Sequence, residues 1–468
     1  MKSILLLALT ALCSAVRAGD LPDPIPEDIH SRHVRHSPAW FTRGILYQVQ
    51  PRAFTPEGTL RAATARLADV AALGVTVIYL WPVTVADDDT APVFWSHRQK
   101  ACKLNNPRNP YRTKDYNRVD PEYGTDQDLK AFIQEAHRLG LKVMLDLVYL
   151  HCGPTAVFLK EHPDFVLRNP DGSMKTAAWA FPGLNFENPA LKEYLWSNME
   201  MWIRDYDADG FRCDVSARVP QAFWEEGRRR IEKIKPDVAM LAEARRSSDQ
   251  DFAFDADYGF DWLYRAIVPV VSSGSPAILI RDMWTWQHMT RPQGYRFTRY
   301  LDNHDIACDA KRRQTAWGED AVRAFTLLNF VIDGIPFLYN GEEIGDDARH
   351  SIFGRFPIRW EKAATPEGQA KRQWLGEVCA FRKARDVLSE GRVQWLENNH
   401  CDSVLAVSRV LQDSAVTMVL NATPHPIEVQ VYGFRAGTTR FSQNLTEAQG
   451  ERFKLGPYGF LVSERSGP

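Results

Sequence analysis

The sequence of this 468-residue chain predicts an α/β fold: a (β/α)8 TIM barrel with a small loop-rich insertion after strand 3, then a C-terminal antiparallel β-sandwich domain. Strand-like and helix-like segments alternate through roughly 340 residues, which is typical of a parallel sheet. About eight such units favour a closed barrel. An open doubly wound sheet is the alternative, but no glycine-rich phosphate-binding loop follows an early strand.

The predicted barrel elements follow one another in regular order. Strand 141–151 is a near-continuous apolar run, as expected of a parallel strand that helices cover on both faces. A less regular region separates strand 237–244 from strand 295–305. The predicted strands are 44–54, 75–83, 141–151, 210–215, 237–244, 295–305 and 335–343, and the predicted helices are 59–74, 125–140, 188–206, 220–234, 319–333 and 367–388.

Two segments depart from this alternation. Residues 150–187 carry Pro, Gly and Asn without periodicity, which predicts a long loop excursion of the kind that is often functional in barrels. From about Gly391 the segments are short and alternating, as in antiparallel strands. The expected organisation is a barrel over 19–389 that includes the insertion, and a β domain over 390–468.

The N-terminal residues have the pattern of a secretory signal peptide. Lys2 precedes the apolar run 4–16, and small residues offer a cleavage site just before Gly19. The run is too short to span a bilayer. We therefore expect residues 1–18 to be removed and the mature protein to be secreted or periplasmic.

The composition limits the classes of binding partner and the disulfides and metal sites that the chain can form. The net charge of −2 argues against nucleic acid as the main partner. An exported protein with six cysteines beyond the signal segment has room for three disulfides, whose connectivity the sequence does not give. Cys213 is expected as a buried thiol in a core strand, whereas Cys102, Cys152 and Cys308 fall in loops where one pair is a candidate bridge. No Cys/His spacing indicates a zinc site.

Polar side chains cluster at the C-terminal ends of four predicted strands. In a (β/α)8 barrel those ends converge on the face that carries the active site. One acidic residue there could simply cap the following helix, but capping does not require several charges to meet, whereas acid–base chemistry does. The clustered residues are Asp146, His151, Arg212, Asp214, Glu243, His304 and Asp305.

The strand 210–215 raises a specific question about burial. Side chains alternate along a strand, so Arg212 and Asp214 point the same way. If that side faces the barrel interior, neither charge persists without a partner. An ordinary ion pair in water at a strand end is the alternative.

Four motifs lie at these strand ends in a fixed order: DLVYLH (146–151), DGFRCD (209–214), LAEA (241–244) and LDNHD (301–305). They resemble the motifs of the α-amylase family of glycoside hydrolases. Weaker matches are PYRTKDYNRVDPEYGT (110–125), FPGLNFENP (181–189) and GIPFLYNGEEIG (334–345). The resemblance covers about residues 40–390. It implies a retaining hydrolase of α-glucans or maltooligosaccharides, which the N-terminal signal pattern makes an exported one, with a glucosyl transferase of the same family as the alternative.

The resemblance also implies roles for individual residues. Retaining glycosidases need a carboxylate nucleophile and a carboxylic acid about 5–5.5 Å apart. By position, Asp214 matches the nucleophile, Glu243 the general acid and base, and Asp305 the carboxylate that holds sugar hydroxyls. The implied substrate-binding residues are Tyr111, His151, Arg212 and His304. The arginine would keep the nucleophile ionised, and for the tyrosine and the two histidines a role in the core is the alternative.

Several positions depart from the family pattern. Leu150 and Gly183 stand where many members have Asn and Asp that help to bind Ca²⁺, so no metal and no cofactor is expected. Ala217 and Arg218 replace a frequent Lys-His pair. Arg112 replaces the Asp of many exo-acting members. Short α-glucans are therefore favoured weakly over long starch.

Two other classes use comparable features. A metal-dependent barrel of the enolase type also gathers three carboxylates, but it needs a lysine or histidine base, and Arg212 beside Asp214 works against cation binding. A carbohydrate-binding protein on a degenerate fold would typically have lost a carboxylate, and all three are present here. The expected partner is an oligo- or polysaccharide, with neither nucleic acid nor, after signal cleavage, a membrane. The oligomeric state is not predicted.

Overall fold

The computed structural model describes residues 25–309 and 311–465, so the predicted signal peptide lies outside the described residues. Its largest sheet has eight strands, all paired in parallel and labelled in chain order. They are β1 Leu46–Val49, β2 Val77–Leu80, β3 Lys142–Leu147, β4 Gly210–Cys213, β5 Ala239–Ala242, β6 Ala256–Asp257, β7 Thr298–Arg299 and β8 Ile335–Tyr339. Their order in the sheet is β6-β5-β4-β3-β2-β1-β8-β7.

The sheet closes at a seam between β6 and β7. These strands have only two residues each, and a parallel bridge between Asp257 and Phe297 joins them. The side-chain amide of Gln250 completes the seam, because it accepts from the Arg296 amide at 2.9 Å and donates to the Arg296 carbonyl at 2.8 Å. The predicted (β/α)8 barrel is confirmed.

The longer helices surround the barrel and bury apolar side chains against it. Helix Asp126–Arg138 begins with a capping box between Thr125 and Asp128. The α-helices are Ala39–Thr42, Pro51–Phe54, Leu60–Thr64, Leu67–Ala72, His97–Ala101, Asp126–Arg138, Pro189–Tyr206, Gln221–Ile234, Asp249–Phe252, Val268–Ser273, Ile278–Met289, His304–Asp309, Arg313–Trp317, Glu319–Val331, Pro366–Lys383 and Asp386–Glu390. A π-helix spans Trp262–Ile267.

Some predicted elements were wrong in extent. The predicted helix 59–74 forms two shorter helices that are separated at residues 65–66. The predicted strand 44–54 ends at Val49, because Pro51 starts a helical turn. Strand β7 is far shorter than predicted, and β6 was missed because two residues carry no detectable periodicity.

The insertion 150–187 holds isolated bridges and single 3-10 turns, Val157–Lys160, Pro163–Phe165 and Ala178–Ala180. A bridge between His151 and Gly183 closes its base. Trp179 and Ala180 have φ values of 60° and 65°, a left-handed conformation that costs energy for residues with a side chain. The insertion therefore presents Trp179 from a fixed but strained turn.

A second long connection, residues 84–113, leads out of β2. It begins with strand Thr84–Ala86, which pairs antiparallel with Thr113–Val119, a hairpin that the sequence pattern did not predict. Arg112 is fully buried beneath this loop. Its guanidinium donates to four backbone carbonyls, those of Asp87, Asp89, Phe94 and Pro107.

The C-terminal strands form one antiparallel sheet of six strands, labelled β9 Arg392–Trp395, β10 Val404–Leu411, β11 Ser414–Asn421, β12 Ile427–Gln430, β13 Thr438–Gln449 and β14 Arg452–Arg465. One face shares its core with the barrel, and the other encloses a small core of its own around Val404 and Phe453. Buried Arg409 joins the two domains by donating to the carbonyls of Val331 and Gly391. This agrees with the predicted antiparallel β domain.

Two expectations about the chain as a whole can be compared with this fold. Cys213 is buried, as expected. Cys102 and Cys152 are both free thiols, so the expected bridge among the loop cysteines is wrong. Within the described residues, no helix is long and apolar enough to cross a bilayer.

The close approach of strand β5 to Gly210 in strand β4 gives a test of the packing. A Cβ atom there would lie 2.1 Å from the Ala239 carbonyl oxygen of the neighbouring strand. Gly210→Ala should therefore lower the free energy of unfolding by about 1–3 kcal/mol, measured by chemical denaturation. Gly376→Ala is the matched control, since its Cβ has room in helix Pro366–Lys383, and it should be neutral or stabilising. Equal effects of the two changes would contradict the packing described here.

Candidate active site

One pocket at the C-terminal ends of the barrel strands is lined by all seven residues that the sequence suggested as catalytic or substrate-binding, namely Tyr111, His151, Arg212, Asp214, Glu243, His304 and Asp305, but not by Asp146 of the predicted cluster. Asp214 follows β4, Glu243 follows β5, and His304 and Asp305 lie beyond β7. The other lining residues are Ser96, Arg98, Asn109, Trp179, Phe181, Val215, Ile352 and Phe353. The barrel therefore brings together side chains that are far apart in the sequence.

The buried guanidinium of Arg212 is the electrostatic centre of the pocket. Its Nη1 atom lies 2.8 Å from both carboxylate oxygens of Asp146 and 2.9 Å from Asp214 Oδ1. Its Nη2 atom lies 2.6 Å from Glu243 Oε2. The residue is 1% exposed, so these ion pairs form away from water. The alternative of an ordinary surface ion pair is therefore wrong.

One cation among three carboxylates leaves an excess of negative charge. Burial raises the pKa of Asp146 to about 6, although Arg212 lowers it. Burial also raises the pKa of Asp214 well above its ordinary value; Arg212 opposes this shift, and Glu243 and Asp146 add to it. The expected effect of Arg212, which is to keep Asp214 ionised, is thus opposed by burial and by the neighbouring carboxylates that share the same guanidinium. The cluster readily holds a proton near neutral pH.

A strained backbone supports Glu243. Val215, directly after the Asp214 residue, has a φ of 44°, which is unfavourable for a β-branched side chain. This conformation directs the Val215 amide to Glu243 Oε2 at 2.8 Å. Strain of this kind is concentrated at functional sites.

His304 is held by a hydrogen-bonded network across the barrel. Gln48 from β1 contacts His304 Nδ1 at 2.9 Å and accepts from the His304 amide at 3.2 Å. Tyr111 contacts His304 Nε2 at 2.9 Å, and Tyr79 donates to Asp146 at 2.6 Å. Burial lowers the pKa of His304 to about 4, so the ring is neutral at physiological pH.

Asp305 has a different environment from the other carboxylates. It is one third exposed and forms an ion pair with Arg98, whose Nη1 lies 2.8 Å from Asp305 Oδ1. Burial raises its pKa, but Arg98, together with the His304 ring that is protonated at the low pH at which Asp305 titrates, outweighs that effect and lowers the pKa to about 2. Asp305 is therefore ionised at any pH at which the protein is expected to work.

His151 forms the wall on the side of the insertion. Its ring packs edge-on against Phe181 and Trp179, with centroid distances of 4.9 and 5.7 Å. Burial lowers its pKa to about 3, so the ring is neutral and carries no charge into the pocket. Trp179 is 43% exposed and offers a flat apolar face at the mouth.

Sequence reasoning missed several of these residues. Gln48 and Tyr79 carried a signal, because a polar side chain in a fully buried strand needs a partner. Arg98 and Trp179 lie on short helical turns within the two long connections, whose sequences have no periodicity, and they gave no such signal. Arg112, which replaces the Asp of many exo-acting members, lies under the 84–113 loop and donates to backbone carbonyls.

The position at which many family members bind Ca²⁺ does not suit that ion here. The Leu150 side chain offers no oxygen, and its carbonyl already accepts from the Leu184 amide at 3.2 Å. The Gly183 carbonyl accepts from Leu167 at 2.9 Å. Across the described residues, no group of three His, Cys, Asp or Glu side chains is arranged to hold a metal ion.

Comparison with known proteins gives the family. The sequence model of the α-amylase catalytic domain matches residues 36–171 and 173–401, which is most of the chain. The chain belongs to the α-amylase family. It is a glycosidase of that family, and its pocket lies where the family motifs were found.

Similar proteins agree with this assignment. A maltogenic α-amylase of Bacillus acidopullulyticus is 26% identical over 88% of this chain and 76% of its own length. A cyclomaltodextrinase of a Bacillus species is 26% identical over 82% of this chain and 73% of its own length. The crystal structure of an α-amylase from Lactobacillus plantarum shares the fold, with a TM-score of 0.77, 23% identity, and coverage of 91% and 99% of the two chains.

The shared guanidinium leads to a pH-dependent prediction. Arg212→Ala should cost about 3–5 kcal/mol of unfolding free energy at pH 8, because it leaves Asp146 and Asp214 buried without their cation. The carboxyls of Asp146 and Asp214 have raised pKa values in the folded state, so their ionised forms destabilise the fold above those values, and protonation relieves the cost as the pH falls. The loss should therefore shrink towards pH 5 in urea titrations.

Arg138→Ala is the control for this experiment. Arg138 pairs with Glu135 on an exposed helix face, and its removal should leave stability nearly unchanged at both pH values. A loss for Arg212→Ala that is equal at pH 8 and pH 5 would contradict the charge balance described above.

Proposed function

We propose that the protein is a retaining α-glycoside hydrolase that acts on short α-glucans or maltooligosaccharides by double displacement. The observation that carries this proposal is the single guanidinium that holds both Asp214 and Glu243. Two carboxylates that contact one guanidinium lie close together, as the retaining mechanism requires. The printed names of the relatives, maltogenic α-amylase and cyclomaltodextrinase, support the substrate class.

In the first step, Asp214 attacks the anomeric carbon while Glu243 donates its proton to the departing glycosidic oxygen. This breaks the glycosidic bond and forms a covalent glycosyl ester on Asp214. In the second step, Glu243 removes a proton from water, which displaces Asp214 and restores the original configuration. The excess negative charge around Arg212 suits this cycle, because the cluster must hold one proton beside one ionised carboxylate.

The remaining pocket residues would bind the reacting sugar. Asp305 is ionised and partly exposed, so it can accept hydrogen bonds from hydroxyls. His151 and His304 are neutral, which suits hydrogen bonding to hydroxyls without competing charge. Tyr111 borders the same space. Each of these contacts can strengthen as positive charge develops on the sugar ring.

The roles of the two central carboxylates can be separated experimentally. Glu243→Ala should lose activity on oligosaccharides by several orders of magnitude but still react with an aryl α-glycoside, whose leaving group needs little protonation. Azide should rescue its turnover and give the α-glycosyl azide. Asp214→Ala should lose activity on both the oligosaccharides and the aryl α-glycoside. Rates and products are followed by absorbance and chromatography.

Glu161→Ala removes an exposed carboxylate of the insertion and should behave like the wild type. Rescue of Asp214→Ala instead, with formation of the β-azide, would reverse the two assignments. Full activity of both variants would exclude the proposed mechanism.

We also propose that the protein is exported, on the sequence pattern of residues 1–18 alone. A relative from Bacillus subtilis, 25% identical over 84% of this chain, is named an intracellular maltogenic amylase, so the family does not decide the compartment. N-terminal sequencing of the mature protein should begin near Gly19. Recovery of a chain that still begins at Met1 would contradict export.

A further inference from the structure

We infer that Arg98 is a specificity-determining residue that closes the glycone side of the pocket, so that only the terminal non-reducing sugar of a chain can react. This inference rests on the proposed function. Arg98 lies in helix His97–Ala101 of the 84–113 connection, and its guanidinium is held on Asp305 at 2.8 Å.

Arg98 separates two cavities. The pocket around Asp214 and a second cavity share three lining residues, Arg98, Ile352 and Phe353. Of these, Arg98 has the only charged side chain. Beyond this wall the second cavity is lined by His97, Ala101, Cys102, Leu104, Cys308, Arg349, His350, Ser351 and Phe356. Leu104 and Phe356 are exposed there, and such apolar surface suits the flat faces of sugars.

The barrel order shows which end of the substrate meets this wall. Glu243, the proposed proton donor to the leaving group, follows β5, and Asp214 follows the adjacent β4. Asp305 follows β7, whose neighbour β8 leads to residues 352–353, while Arg98 comes from the loop after β2. The leaving group therefore lies on the β4–β5 side. The retained, glycone part of the substrate points towards β7, β8 and Arg98.

The helix that carries Arg98 is held in place by an N-terminal cap and by the side chain of Gln99. The Ser96 hydroxyl caps it by accepting from the Gln99 amide at 3.1 Å. The Gln99 side chain donates to the carbonyls of Asn106 and Pro107 at 2.9 and 3.1 Å. Arg112 holds the rest of the loop through its carbonyls. Arg98 thus belongs to a loop held in place by hydrogen bonds, as expected if its side chain keeps the two cavities apart.

A closed glycone side has a defined consequence for products. The terminal sugar would fill the pocket with its hydroxyls facing Asp305 and Arg98, and the enzyme would release one glucose unit at each cycle. Removal of the Arg98 side chain would join the two cavities. Further glycone sugars could then enter, and internal bonds would become substrates.

The test compares maltoheptaose with the same oligosaccharide capped by an ethylidene acetal on its terminal non-reducing sugar. Wild-type enzyme should release glucose from the free chain and leave the capped chain essentially intact. Arg98→Ala should raise the ratio of capped to free cleavage at least about tenfold and should yield maltose and longer products. Products are resolved by chromatography.

Arg108→Ala is the matched control, because Arg108 belongs to the same loop and pairs with Asp120, yet lines neither cavity. It should keep the wild-type ratio. Wild-type cleavage of the capped chain at the rate of the free chain would overturn the inference and leave the proposed function standing, whether or not Arg98→Ala folds. No cleavage of either chain by the wild type would overturn both.

Discussion

A single buried guanidinium, that of Arg212, determines how the centre of this molecule can be built. Three carboxylates converge on it from the ends of β3, β4 and β5, those of Asp146, Asp214 and Glu243. A buried carboxylate without a partner would take up a proton. Because there are more carboxylates than the cation can neutralise, the centre retains protons at a pH at which isolated carboxyls are ionised. The protonation of the site therefore follows from the contact of these carboxylates with one guanidinium.

Buried arginines also stabilise irregular backbone elsewhere in the molecule. Arg112 donates to backbone carbonyls beneath the 84–113 loop. A buried arginine offers five donors in a rigid fork, so it can organise irregular backbone that no ladder satisfies. Arg409 acts similarly where the barrel meets the C-terminal sheet. The barrel strands position the carboxylates, and buried arginines stabilise the irregular backbone of the connections.

The sequence predicted the features that depend on local periodicity. The long helices and the apolar strands β3 and β8 are visible because burial on both faces leaves a pattern of several residues. The pocket residues on strand ends were found because their motifs keep a fixed order. The short strands β6 and β7 were too brief for any pattern. Arg98 was invisible for another reason: its partner, Asp305, lies more than two hundred residues away, and only tertiary folding brings the two together.

The seam between β6 and β7 has a consequence for how the barrel tolerates mutation. Elsewhere, strands are joined by backbone hydrogen bonds, which no side-chain substitution removes directly. At the seam, the backbone contributes the Asp257 amide, which donates to the Arg296 carbonyl at 3.0 Å, and the Gln250 side chain adds two more hydrogen bonds to Arg296. Part of the barrel closure therefore depends on a side chain that a single codon change can replace. Because β7 leads to Asp305, such a change would weaken the link between that residue and the strands that lead to Asp214 and Glu243.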